Sequence, residues 1–270
     1  GRFPLELNAY YSSTRQTPTL WQGAWQYSYF QRLLYVGPNV NLGTAARVTV
    51  YRPDGAGWLF VPNGGGWTAA HIRGATLRQT TAPAGWTLIT PDNVVETFDD
   101  KGRLLGRTHV TGRSVLLAYL LQDLKPVSVA DSFGRALTVS YDTDGRPAQF
   151  LDPASGQITH AETLNVQSVL TFQDGTSKRY LFNEPSNIGT DGPAWTWSRP
   201  LLTGTESELG QRFGNFTYEK NGDAKSSERA GGVYRYTVAI GTGDTRVVTD
   251  PLGAVRVYTF TTSNSNVRRT

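Results

Sequence analysis

Cysteine and methionine are both absent from this chain of 270 residues. Without a thiol there is neither a disulfide framework nor a thiolate metal site, and the redox compartment is left open. The lack of even an initiator methionine leads us to expect a piece cut or processed from a longer protein. Histidine is scarce, and His71, His109 and His160 each stand alone with no second ligand at metal spacing, so neither a metal nor a cofactor is expected. No apolar run approaches the roughly eighteen residues of a membrane-crossing helix, and no signal peptide is legible at Gly1. The longest run, SVLLAYLL over residues 114–121, fits either a short helix or a buried strand. The net charge of +4 comes from scattered Lys and Arg, whose longest run is the pair Arg268 and Arg269, so the clustered stripe that nucleic acid requires is missing. Missing too are a GxSxG elbow, a phosphate-binding loop and a dinucleotide fingerprint.

What the chain has in quantity is turn and strand chemistry, with 29 glycines, 13 tyrosines and 11 phenylalanines, which leans towards an all-β fold. The stretch DSFGRALTVSYDTDGRPAQFLDPASGQ, Asp131 to Gln157, places glycines at Gly134, Gly145 and Gly156, eleven residues apart. Asp131 and Asp142 stand three residues before the first two glycines, and Arg135 and Arg146 follow them. Aspartate can accept amides just after itself and glycine can take a positive φ, so the unit predicts a type I turn closed by a left-handed glycine. Between two such turns Leu137, Val139 and Tyr141 alternate with Thr138 and Ser140, as a strand with one buried face does.

The same unit is legible at Asp99, Gly102 and Arg103, around Asp174, at Tyr218 to Gly222 with glutamate in place of aspartate, and at Asp250 and Gly253. We therefore expect a Trp-rich β region over residues 1–90 and a repeat region over 91–270 with an insertion near 183–200. Such repetition means that each unit borrows its neighbours' surface to bury its apolar face. The drift between copies favours structural turns over a catalytic motif. Asp142 with Asp144, and Asp99 with Asp100, are the carboxylate pairs that hydrolysis would need, but each sits inside a turn, and no enzyme is expected. Trp195 and Trp197 fall on one face of a strand and either stack on sugars or cargo or fill the interface between the insertion and the sheet.

With YDTDGRP at 141–147 and YEKNGDA at 218–224, the chain resembles the YD-repeat, or Rhs (rearrangement hot spot), family. DGTSKRYLFNEP, LLTGTESELGQRFGNFTYEKNGDAKSSERAGG and VTDPLGAVRVYTF are similar to consecutive blocks of a bacterial Rhs core, and LELNAYYSSTR with GAWQYSYFQRLL to the region that leads into it. The resemblance implies antiparallel β-hairpin repeats in a curved or spiralling sheet, part of a hollow shell around a C-terminal toxin. It further implies a secreted or delivered bacterial effector made in the cytoplasm, used in competition between cells and often carried by type VI secretion. The implied partners are the enclosed toxin polypeptide, neighbouring shell repeats and delivery proteins. The family releases its toxin by self-cleavage at a DPxGL junction. In DPLGA, Ala254 stands where that leucine belongs and a strand-like VRVYTF follows, so Asp250 to Gly253 is read as a repeat turn, and the strand over 255–260 as an open sheet edge. The alternative is a cell-surface β-repeat protein that binds glycans.

Overall fold

The computed structural model describes residues 5–12, 25–120, 123–153, 156–192, 200–263 and 266–269. The protein is all-β and antiparallel, without an α-helix among the described residues, and therefore without a helix long and apolar enough to cross a membrane. It divides into two compact units, Gly1–Thr159 and His160–Thr270.

In the first unit a short pair, β1 (Ala9–Tyr11) and β2 (Trp25–Tyr27), precedes a run of hairpins. These are β3 (Arg32–Val36), β4 (Arg47–Tyr51), β5 (Gly57–Asn63), β6 (Gly66–Ala69), β7 (Thr76–Thr81), β8 (Ala84–Ile89), β9 (Val95–Asp99) and β10 (Leu104–Thr108). There follow β11 (Ser114–Tyr119), β12 (Pro126–Asp131), β13 (Ala136–Tyr141) and β14 (Pro147–Asp152), with the unit boundary inside β15 (Gly156–Thr163). From β3 onward each strand pairs with the next in sequence, including β8 with β9 across the change in composition near residue 90.

The ambiguous run SVLLAYLL is a strand over its described part. β11 pairs with β10 and β12 and alternates buried Val115 and Leu117 with exposed Leu116. One face of the first unit collects Val48, Phe60, Leu88, Phe98, Val129 and Phe150, all nearly inaccessible to water. Residues 25–31 are buried throughout, and the Tyr27 ring lies 4.8 Å from that of Phe150. The segment after β1 thus supplies the second layer that a one-faced sheet requires.

The second unit holds β16 (Gln167–Thr171), β17 (Ser177–Phe182), β18 (Leu202–Glu206), β19 (Arg212–Tyr218), β20 (Ala224–Arg229), β21 (Val233–Ile240), β22 (Thr245–Thr249), β23 (Val255–Ser263) and β24 (Asn266–Arg269), again paired in chain order. The insertion near 183–200 does not interrupt the sheet, because β17 pairs directly with β18 on either side of it. Its described part, a 3-10 turn at Pro185–Asn187, is pinned to the sheet by Asn187 Nδ2, which donates to Asn215 Oδ1 at 2.7 Å and to Thr203 O at 3.0 Å. The strand expected over 255–260 runs on to Ser263 and carries β24 over its last four residues, so the open edge is confined to its start, where residues 255–257 pair with β22 and with no second strand among the described residues.

Candidate functional site

The repeated turn has one backbone geometry. At Asp142 the Gly145 amide donates to the Asp142 carbonyl at 2.9 Å, and the Asp142 amide donates to the Arg146 carbonyl at 2.9 Å. This pair of bonds recurs at Arg52, Thr90, Asp99, His109, Asp131, Phe172, Ser207, Glu219 and Asp250. The fourth residue has positive φ each time, as in Gly102, Gly134, Gly145, Gly222 and Gly253, with Asn93 the exception to glycine. In FQDG the first position is therefore Phe172, and Asp174 accepts the Thr176 amide from inside the turn. Asp250 to Gly253 closes such a turn ahead of β23.

Aspartate completes the device through its side chain. Asp142 Oδ1 accepts the amides of Asp144 at 3.0 Å and Arg146 at 2.8 Å, and Oδ2 accepts the Arg146 guanidinium at 2.9 Å. Desolvation pushes this carboxyl up, but the bonds from Arg146 outweigh it and hold it below the usual carboxylate range. Asp99 is bound likewise by Lys101, Arg103 and the Arg103 guanidinium, the last at 2.6 Å. At Asp131 the pattern changes: Arg135 reaches instead to Asp152, at 2.5 Å. Asp99, Asp131 and Asp142 thus all accept backbone amides of their own turn, and Asp99 and Asp142 take the arginine that follows as well. Among the described residues no group of three or more His, Asp or Glu is placed to hold a metal.

Tyr141 and Tyr218, each just before a turn, and Tyr119 at the end of β11 join hairpin to hairpin. Tyr119 Oη donates to Leu104 O at 2.9 Å, Tyr141 Oη to Pro126 O at 2.6 Å and Tyr218 Oη to Leu202 O at 2.7 Å. The cation just before the first two of these carbonyls also covers the ring: Arg103 lies 5.0 Å from the Tyr119 centroid and Lys125 lies 5.3 Å from that of Tyr141. Each phenol thus ends its strand inside the preceding hairpin. Burial pushes all three hydroxyls up, Tyr218 to about 12.

A polar cluster that the sequence reading passed over lies in the first unit. Glu96 is fully buried, on the same strand phase as Phe98, yet it accepts Arg52 at 2.5 Å, Arg107 at 3.1 Å and Gln31 at 2.9 Å. The pocket beside it, about 450 Å³, is lined by Tyr29, Trp58 and Asp92 among others. Tyr29 itself has φ 70°, a conformation that costs a non-glycine residue about 1–3 kcal/mol. The signal for the cluster was a glutamate in the inward phase of VETFD, which burial permits only with cations beside it.

Trp195 and Trp197 lie outside the described residues. Exposed aromatic rings do occur in the second unit, at Phe213, Tyr234 and Tyr236. No protein-family model matches the chain, and no curated protein matches it.

Proposed function

We propose that this chain is a segment of an Rhs/YD-repeat β-shell, whose work is to wall off a C-terminal toxin polypeptide for delivery in competition between bacteria or in pathogenesis. The observation that carries the reading is the recurrence of one turn and one tyrosine lock. Tyr119 and Tyr141 each reach a carbonyl fifteen residues upstream, beneath a cation one residue earlier still. A device that ties each hairpin to the one before it extends a sheet without limit and asks nothing of a reactive centre. The mechanism is steric: a hydrogen-bonded wall withholds the passenger from its surroundings until delivery. The partners are the passenger and the neighbouring repeats, with delivery proteins beyond them.

The test is limited proteolysis of the complete gene product. The passenger should resist cleavage while the repeats are folded and become sensitive once they are denatured. A passenger cleaved as fast inside the intact protein as when free would sink the reading. The second reading, a surface protein that binds glycans, is favoured by the exposed rings of β19 and β21.

A further inference from the structure

An open groove of about 750 Å³ lies on the second unit's sheet, within the range of small-ligand sites. Tyr180, Phe216 and Tyr236 share its face, because Tyr180 registers with Thr205, Thr205 with Gly214, Phe216 with Ser227 and Ser227 with Tyr236. Gly214 keeps the floor low: a Cβ there would stand 2.7 Å from the Thr205 hydroxyl and 3.5 Å from the Phe216 ring. Above the floor Phe213, Tyr234 and Tyr236 are 55%, 61% and 45% exposed. The Arg229 guanidinium sits 5.5 Å from the Phe213 ring and 5.0 Å from that of Tyr234, and no carboxylate pairs with it among the described residues. Tyr234 takes φ 53°, a left-handed conformation unusual for an aromatic residue.

Three classes of ligand bind aromatic grooves, and the surroundings separate them. An extended peptide is held through the amides of a sheet edge, but each strand from β17 to β21 already has a neighbour on both sides. A polyanion, whether nucleic acid or sulfated glycan, needs a run of cations with no carboxylate beside them, but of the two cations that line the groove Lys178 is paired with Glu208, which leaves Arg229 alone to meet an anion. A neutral saccharide needs neither. Its C–H faces lie on aromatic rings, and its hydroxyls take carboxylates and a guanidinium. Each of the three carboxylates is steadied by one cation, Arg179, Lys178 or Arg235, at 2.9, 3.1 and 3.5 Å, and a carboxylate so held keeps lone pairs for further donors.

We propose that this groove is a binding site for a neutral saccharide, seated on Phe213, Tyr234 and Tyr236 and hydrogen-bonded by Arg229 and the flanking glutamates. The proposal rests on the second reading only in its premise that the protein meets a glycan, and is indifferent to the shell. Saturation-transfer NMR on the full chain, with linear oligosaccharides of glucose and of N-acetylglucosamine and with heparin oligosaccharides beside them, tests it. At least one neutral series should bind. Phe213→Ala and Tyr236→Ala should each weaken it by about tenfold, in keeping with the loss of an aromatic platform, while Phe133→Ala, an exposed ring of the first unit, leaves it unchanged. If Phe213→Ala does not fold by circular dichroism, Phe213→Leu, which keeps apolar volume without a ring face, replaces it. Binding of heparin alone would overturn the neutral class and leave the second reading standing. No binding by any of these glycans would overturn both, and binding that survives the groove substitutions would overturn the site.

Discussion

Gly102 and Gly134 occupy the same place in the same turn, with φ of 78° and 86°, yet they do not bear the same constraint. A Cβ on Gly134 would meet nothing within 4 Å, whereas one on Gly102 would stand 1.9 Å from the Leu33 carbonyl, to which the turn approaches as the Leu33 amide bonds to Gly102 O at 3.0 Å. Gly134→Ala should therefore cost only the left-handed penalty of about 1–2 kcal/mol. Gly102→Ala adds displacement of β3 and should cost about 2 kcal/mol more, as overpacking does. Thermal melts in which the two are equal would refute the close approach. The buried phenols of Tyr119, Tyr141 and Tyr218 make a second expectation at this scale. Their folded pKa values lie above the unfolded value of about 10, so the stability they give is complete below pH 10 and is lost as pH rises through the folded values, about 12 for Tyr218. Absorbance at the tyrosinate band should show these residues ionising only as the protein unfolds, and ordinary titration of every tyrosine below pH 11 would show the locks to be absent.

At the scale of strands and turns, Glu96 gathers the turn after β4, the strands β9 and β10 and the buried segment 25–31 onto one carboxylate. Glu96→Gln would leave Arg52, with a side chain only 12% exposed, and Arg107 beside it short of their counter-charge, and should destabilise by about 3–5 kcal/mol. Arg52→Ala combined with it should cost less than the sum of the two alone, since both remove one network; additive losses in denaturant melts would mean that the residues act separately. The hairpins themselves were legible in the sequence because aspartate and glycine carry the turn's bonding and φ within five residues, as at Asp131 and Asp142. The same turn at His109 and Ser207 was not, since neither residue is an acid and only the glycine marks the geometry, and the turn read around Asp174 starts two residues earlier, at Phe172, whose part in it is a backbone one. SVLLAYLL stayed ambiguous for a related reason: a short apolar run fits two periods, and the choice was made by pairing with β10 and β12, which the run itself does not encode. Glu96 and its arginines lie far apart in sequence, so that cluster is a product of pairing and could be read only as a charge out of phase.

Across the whole molecule the burial is uneven. Among described residues the first unit holds nearly all of the buried apolar side chains, while the second has only Phe182 and Leu201, and its buried polar residues are Ser168, Thr203, Ser226 and His160. A sheet with so little beneath it opens readily, so amides of β20 to β22 should exchange with solvent much faster than those of β4, β8 and β12. The same shortage directs association. Val255 and Val257 of β23 are 60% and 63% exposed, and on the side away from β22 residues 255–257 pair with no second strand among the described residues. Unpaired amides beside exposed valines are a template for another chain, whereas lysine at such an edge discourages pairing. In light scattering the mean mass should therefore climb with concentration, and Val257→Lys should suppress the climb without changing the melt of the first unit. A strict monomer over a roughly hundredfold concentration range, where mass action must otherwise show itself, would mean that this edge is already satisfied and that the second unit is stable as a single sheet.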